Sequence, residues 1–245
     1  MLSPLATGLY AGLGGAAAAG LAWGGSAYAA LWPASQIFGH TLTAPRMPGE
    51  LALTFDDGPN PACTPRLLDI LGSHDIRATF FLVGSFAHSE PALVRRIADG
   101  GHLVGNHSWS HPNLALTPAR RVHEELTNTS QTLEQIIGAP VRFFRPPFGA
   151  RRPAVLQIAR SLDLIPVLWN AMTTDWKDPS ADAIADRLIK TIYRHEHHGR
   201  ASNIVLHDGN HRAMSVDRSP SVAAAGHLIA RYKSNHRFVT LDAWC

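Results

Sequence analysis

Residues 1–45 contain no Lys, Arg, Asp or Glu. A secretory leader ordinarily opens on a basic stretch, so this absence speaks against one, although Ala27-Tyr28-Ala29 has the small-residue spacing of a cleavage site. Cysteine is almost missing: Cys63 and Cys245 are the only two, far too few for a disulfide scaffold. Charge is scarce as well. Charged residues make up 17% of the chain and the net charge is +3, with no basic strip interleaved with aromatics, so no nucleic-acid partner is implied. No glycine-rich phosphate loop follows a strand, which weighs against a dinucleotide-binding sheet. What remains is a 245-residue chain that is 45% hydrophobic, enough for one large domain with a well-buried core.

The apolar run from Leu5 to Trp32 exceeds the roughly 20 residues needed to cross a bilayer. Its glycines weaken a soluble helix but are common in membrane helices, and Trp23, Tyr28 and Trp32 suit an interface. The expectation is a membrane anchor or signal segment over residues 1–32, against the alternative of a buried N-terminal helix. Such a segment places the protein on the membrane facing the exterior or periplasm, or outside the cell. Pro33, Pro45 and Pro48 mark a linker over residues 33–49, and a folded domain is expected over residues 50–245.

Within that domain, strands are expected at Leu51–Phe55, Ala78–Val83, His102–Val104, Val141–Phe144, Leu164–Trp169, Ile204–Leu206 and Phe238–Leu241. Helical segments separate most of them: one opened by Thr64-Pro65 and stopped at Gly72, one over Pro91–Asp99, a long one from Thr117-Pro118 to Gly138, then Ala154–Leu162, Ala181–Tyr193 and Ser221–Lys233. The strands are apolar throughout rather than alternating, the pattern of a parallel sheet covered on both faces. The expected architecture is α/β: a distorted (β/α) barrel of seven or eight strands, preceded by the N-terminal hydrophobic helix. A doubly wound open sheet is the alternative.

Each polar cluster follows a strand: Asp56-Asp57, His107 with His111, Arg145, Asp175, and His207-Asp208. Strand C-termini of such a barrel open onto one face, where active sites lie, so the clusters should meet there. Asp56-Asp57-Gly58-Pro59 taken alone reads rather as a turn, a reading that the other clusters overturn. His107 and His111, four apart, would project from one side of a single helical turn. With a carboxylate on the same rim they form a three-ligand site of the kind zinc hydrolases use.

Five stretches then resemble, in order, the motifs of the polysaccharide deacetylases: Thr54-Phe55-Asp56-Asp57-Gly58, His107-Ser108-Trp109-Ser110-His111, Arg145-Pro146-Pro147-Phe148-Gly149, Asp175-Trp176 and Leu206-His207-Asp208. The resemblance spans about residues 50–245. It implies a metal-dependent hydrolase that removes N-acetyl groups from an N-acetylglucosamine-containing polysaccharide, chitin oligomers or peptidoglycan. By resemblance Asp57, His107 and His111 bind a divalent metal, Zn2+ first, with Co2+ or Ni2+ as alternatives. Asp56 is then the general base for the metal-bound water, aimed by Arg145 through a charge-assisted bond. The backbone N–H of Phe148 stabilises the oxyanion, His207 is the general acid, and Asp175 orients it. Trp176 and Leu206 would line the pocket for the acetyl methyl. Met172 stands where the family often has a polar residue, which bears on specificity. Action on O-acetyl-xylan, hydrolysis of another non-peptide amide, and a non-catalytic glycan-binding module remain open beside it. His195, His197, His198 and His211 lie outside the motifs and read as surface groups.

Overall fold

The computed structural model describes residues 27–178 and 180–245. Most of the expected N-terminal hydrophobic helix, residues 1–26, lies outside the described residues; residues 27–31 are helical. Among the described residues no helix is long and apolar enough to cross a membrane.

In chain order the elements are β1 (Glu50–Gly58), α1 (Thr64–Ser73), β2 (Thr79–Leu82), α2 (Gly84–Ser89), α3 (Pro91–Asp99), β3 (Leu103–Asn106), α4 (Ala119–Ile137), β4 (Phe143–Phe144), α5 (Pro153–Ser161), β5 (Ile165–Pro166), β6 (Ala171–Met172), α6 (Ala181–His197), β7 (Ser202–His207), α7 (Ser219–Tyr232) and β8 (Arg237–Phe238). The helices begin and end for local reasons. Proline occupies the first turn of α1, α3, α5 and α7, where its missing N–H costs nothing. α4 stops at Gly138, which takes the left-handed conformation at φ 69° that closes a helix without a Cβ penalty.

The sheet runs β5-β4-β3-β2-β1-β7-β6, with β8 added beside the start of β1, and every pair is parallel. Its two edge strands, β5 and β6, are separated in sequence only by residues 167–170. Residues 165–172 therefore act as one interrupted strand, bonded to β4 at its start and to β7 at its end. The sheet is thus curled into a half-barrel, consistent with the expected distorted barrel. The expected strand Leu164–Trp169 is cut short after Pro166, where residues 42–45 enter the seam. Leu42 exchanges backbone bonds with Pro166 and Leu168 at 2.8 Å each, and Pro45 O accepts the Ala201 N–H at 3.1 Å. Asn203 closes the gap from the other side, its Nδ2 donating to Thr43 O at 2.9 Å and to Leu168 O at 2.7 Å.

All nine residues of β1 are buried, as a central strand with covering layers on both faces must be. Leu51, Leu53 and Phe55 join the large apolar cluster beneath the helices, whereas Ala52 belongs to the smaller one with Phe81, Phe143 and Val167. The alternation sends Thr54 and Asp56 to the same interior face as Ala52. Carboxylate chemistry at the end of β1 is thus built onto the most heavily braced strand of the fold.

Candidate active site

Strand register brings the polar residues together. Asp56 pairs with His207 across β1 and β7. Asn106 pairs with Phe144 across β3 and β4, so the next residues, His107 and Arg145, leave neighbouring strands side by side. Asp57 follows Asp56 at φ 67°, and Ser108, His111 and Phe148 also take positive φ (64°, 55° and 59°). Four non-glycine residues in this sparsely populated region, each costing about 1–3 kcal/mol, cluster at one rim, as strain tends to do at functional sites.

The turn from His107 to His111 is not the expected helical turn but an irregular loop. Pro112 disfavours helical geometry at His111, and side chains capture the backbone instead. Asn106 Oδ1 accepts the Ser108 N–H at 2.8 Å, and Ser108 Oγ accepts the His111 N–H at 3.2 Å. The buried Glu125 of α4 takes both the N–H and the hydroxyl of Ser110 at 2.7 Å.

The loop turns both imidazoles to one carboxylate. His111 Nε2 lies 3.1 Å and His107 Nε2 3.5 Å from Asp57 Oδ1, and one donor atom from each of Asp57, His107 and His111 falls within 4.8 Å of the others. His107 Nδ1 meets the carbonyl oxygen of Arg145 at 2.8 Å; a carbonyl can only accept, so Nδ1 carries the hydrogen and Nε2 faces Asp57. Asp57 Oδ1 is buried without a hydrogen-bond partner among the described residues. Burial opposes its charge, yet the imidazoles of His107, His111 and His211 beside it hold its carboxyl well below the usual range. Burial also keeps His111 below the ordinary imidazole value, favouring the neutral form that a ligand must have. An orphaned anionic oxygen facing two imidazole nitrogens fits a divalent cation of the borderline class.

Asp56 is turned the other way. Its Oδ1 accepts from Arg145 Nη1 at 2.7 Å, while Oδ2 stands 3.9 Å from His107 Nε2. Arg145 is fully buried, lies over the Phe81 ring at 4.2 Å, and also donates to Thr54 Oγ1 at 2.7 Å and Asn203 Oδ1 at 3.3 Å. Opposite, Asp175 holds His207 twice, at Nδ1 (2.9 Å) and at the backbone N–H (2.8 Å), and is itself fixed by the Ser221 hydroxyl at 2.6 Å. Burial works against the imidazolium of His207, but the Asp175 carboxylate outweighs it and, with Asp57 and Asp56, raises its pKa to about 9.

The remaining expected residues divide. Trp176 stands edge-on to His207 with ring centroids 5.0 Å apart, and Phe148 stands edge-on to His111 at 4.7 Å; both are solvent-exposed, at 38% and 52%. Leu206 does not face the cleft. Strand alternation puts it in the cluster beneath the helices, and its neighbour Val205 takes the interior face with Leu168 and Trp169. His211, read from sequence as a surface group, is instead at the site: it stacks on His111 with centroids 4.3 Å apart and puts Nδ1 3.4 Å from Asp57 Oδ2. Asp208, given no role from sequence, is buried and accepts from the Thr64 hydroxyl. Burial, with the nearby Asp57 and Asp56 adding to it, pushes Asp208 up to about 7.

The sequence profile of the polysaccharide deacetylases matches residues 43–167. A peptidoglycan-N-acetylglucosamine deacetylase of Bacillus cereus is 36% identical over 209 residues, 84% of this chain and 72% of that protein. A chitooligosaccharide deacetylase of Sinorhizobium fredii is 37% identical, covering 64% of this chain and 71% of the other. In shape, the chain is similar to a crystal structure of a peptidoglycan N-acetylglucosamine deacetylase, with a TM-score of 0.74 at 35% identity, covering 83% of this chain and 91% of that one. Together with the curled parallel sheet and the acidic and imidazole groups at its rim, these similarities place the chain among hydrolases of the carbohydrate esterase class. The chain belongs to the polysaccharide deacetylase family.

Proposed function

We propose that the protein removes N-acetyl groups from an N-acetylglucosamine-containing polysaccharide, chitin oligomers or peptidoglycan, with Asp57, His107 and His111 holding a divalent cation, Zn2+ first. The observation that carries this reading is the division of labour between adjacent carboxylates: Asp57 faces two imidazoles while Asp56 is held apart by Arg145. Bound there, the cation would supply Lewis-acid activation of water and of the acetyl carbonyl.

The chain's own groups do the rest. Asp56, aimed by Arg145, accepts the proton of the attacking water. The Phe148 N–H donates to the carbonyl oxygen as negative charge develops on it. His207 gives its Nε2 proton to the departing amine, since Nδ1 is committed to Asp175. Trp176 and Val205 flank the place of the acetyl methyl. Two rim aromatics, Phe148 and Trp176, offer apolar faces to sugar rings. Residues 1–32, as an anchor or signal segment, would deliver the catalytic domain to the outer face of a membrane or beyond it, where such polymers lie.

Acetate release from chitin oligomers, peptidoglycan and acetyl-xylan, with chelator and with added metal, tests the reading. Metal-dependent release from the first two substrates is expected. Release from acetyl-xylan alone would replace the amide substrate by an ester.

A further inference from the structure

Residues 209–217 lie outside the motifs that carry the family resemblance, yet this segment delivers a side chain to the metal position. His211 lies almost flat on His111, the planes inclined by 17°. Its Nδ1 approaches Asp57 Oδ2 at 3.4 Å, the oxygen on the far side from the one that meets His107 and His111. Phe148 stands edge-on to both stacked rings, at 4.7 and 5.4 Å. The segment is held in place two residues earlier, where Gly209 backs onto the peptide of Asp57 so tightly that a Cβ would lie 1.9 Å from Asp57 O. Arg218 Nε donates to Gly209 O at 2.8 Å, fixing the segment from its other end.

The two ligand histidines are supported differently. His107 is oriented through its second nitrogen by the Arg145 carbonyl. His111 has no such partner: its Nδ1 is buried and makes no hydrogen bond among the described residues. Ring contacts restrain it instead: Phe148 and His107 meet it at an edge, and His211 covers its face. Likewise Asp57 Oδ2 finds its neighbour in His211 rather than in a backbone amide.

We propose that His211 is a positioning residue of the metal site, holding Asp57 by Oδ2 and His111 by its face so that Asp57 binds a divalent cation through Oδ1 alone. The inference rests on the ligand assignment proposed above. Partners of this outer kind typically contribute about 10- to 100-fold in metal affinity.

The test is Zn2+ affinity, measured by competition with a chelating dye on the full-length chain, with Co2+ absorption as a second readout. His211→Leu keeps bulk but removes the nitrogen, and should weaken Zn2+ binding about tenfold or more with the circular dichroism unchanged. His211→Asn, whose amide nitrogen can take the place of Nδ1, should recover part of that loss. The intensity of the visible Co2+ bands should be the same in all three proteins, because the number of ligands does not change. Unaltered affinity in His211→Leu, with His107→Ala losing its metal, overturns the role of His211 and leaves the ligand assignment standing. A full equivalent of metal retained by His107→Ala overturns both. Co2+ bands that change intensity in His211→Leu overturn positioning in favour of direct ligation.

Discussion

His107 Nδ1 donates to the backbone carbonyl of Arg145 at 2.8 Å, so the residue whose side chain aims Asp56 also fixes, through its main chain, which nitrogen of His107 faces Asp57. The proposed base and the proposed metal position are thus both held by a single residue just after β4. The Arg145 side chain is wholly buried, and its guanidinium serves Thr54, Asp56 and Asn203 at once. An ammonium is a point donor without that planar fork. Arg145→Lys should therefore lose most activity. Arg145→Met, which strands a buried carboxylate, should also lower stability by about 3–5 kcal/mol. Turnover assays and urea melts check both; full activity in Arg145→Lys would remove Arg145 from the mechanism.

The two adjacent carboxylates should fail differently. Asp56→Asn is nearly isosteric and should keep the metal but lose the proposed proton acceptor, a contribution of about 10²–10⁴ in rate. Asp57→Asn replaces the proposed anionic ligand by a neutral amide, so metal affinity should fall. Raising the Zn2+ concentration should restore part of the Asp57→Asn activity and none of the Asp56→Asn activity. Metal rescue of Asp56→Asn would mean that the roles are exchanged.

The pH profile reports on His207. Its pKa is raised to about 9, so the protonated, donating form is present through neutral pH and is lost as pH rises through that value. Activity should show an alkaline limb there. Asp175→Asn removes the carboxylate most responsible for the raised value and should move the limb down by about one to three pH units. The same sign holds for stability: the ion pair stabilises the fold below the unfolded imidazole value and ceases to do so as pH climbs through the folded one. An unmoved limb in Asp175→Asn, read from kcat/KM against pH, would assign the limb to another group.

Gly209 tests how tightly the rim is assembled. A Cβ there would sit 1.9 Å from Asp57 O and 2.8 Å from Gly58 N, backbone atoms that cannot swing aside. Gly209→Ala should displace Asp57 or the 209–217 segment, costing about 1–3 kcal/mol or more and weakening metal binding. Thermal unfolding and metal titration measure the two effects; wild-type values in both would show that the segment shifts freely.

Much of this arrangement is legible in the sequence, because the signals are local. Apolar runs such as Leu51–Phe55 and Thr79–Leu82 announce buried strands, and helix stops such as Gly138 follow from backbone chemistry. The ordered polar clusters announce one rim. What escapes is decided by parity and by distance. Whether Val205 or Leu206 faces the cleft depends on a one-residue phase that a uniformly apolar strand does not reveal. The interruption between β5 and β6 arises from residues 42–45, far away in sequence. His211 sits in a segment without periodicity, and reaches Asp57 only because β1 pairs with β7, a partnership between residues some 150 apart. The irregular loop from His107 to His111 likewise depends on Glu125, whose buried carboxylate is an exception to helix patterning.

The pairing of β1 with β7 also sets an order of events during synthesis. Asp57, His107 and His111 are all synthesised well before β7, against which β1 lies from Leu51 to Asp56 and which spans residues 202–207. Until then the nascent chain carries three potential metal donors, one of which, Asp57, sits on a strand with one side bare. Ordered capture of a cation should therefore wait for β7, and a nascent chain stalled before residue 202 should bind metal loosely or indiscriminately.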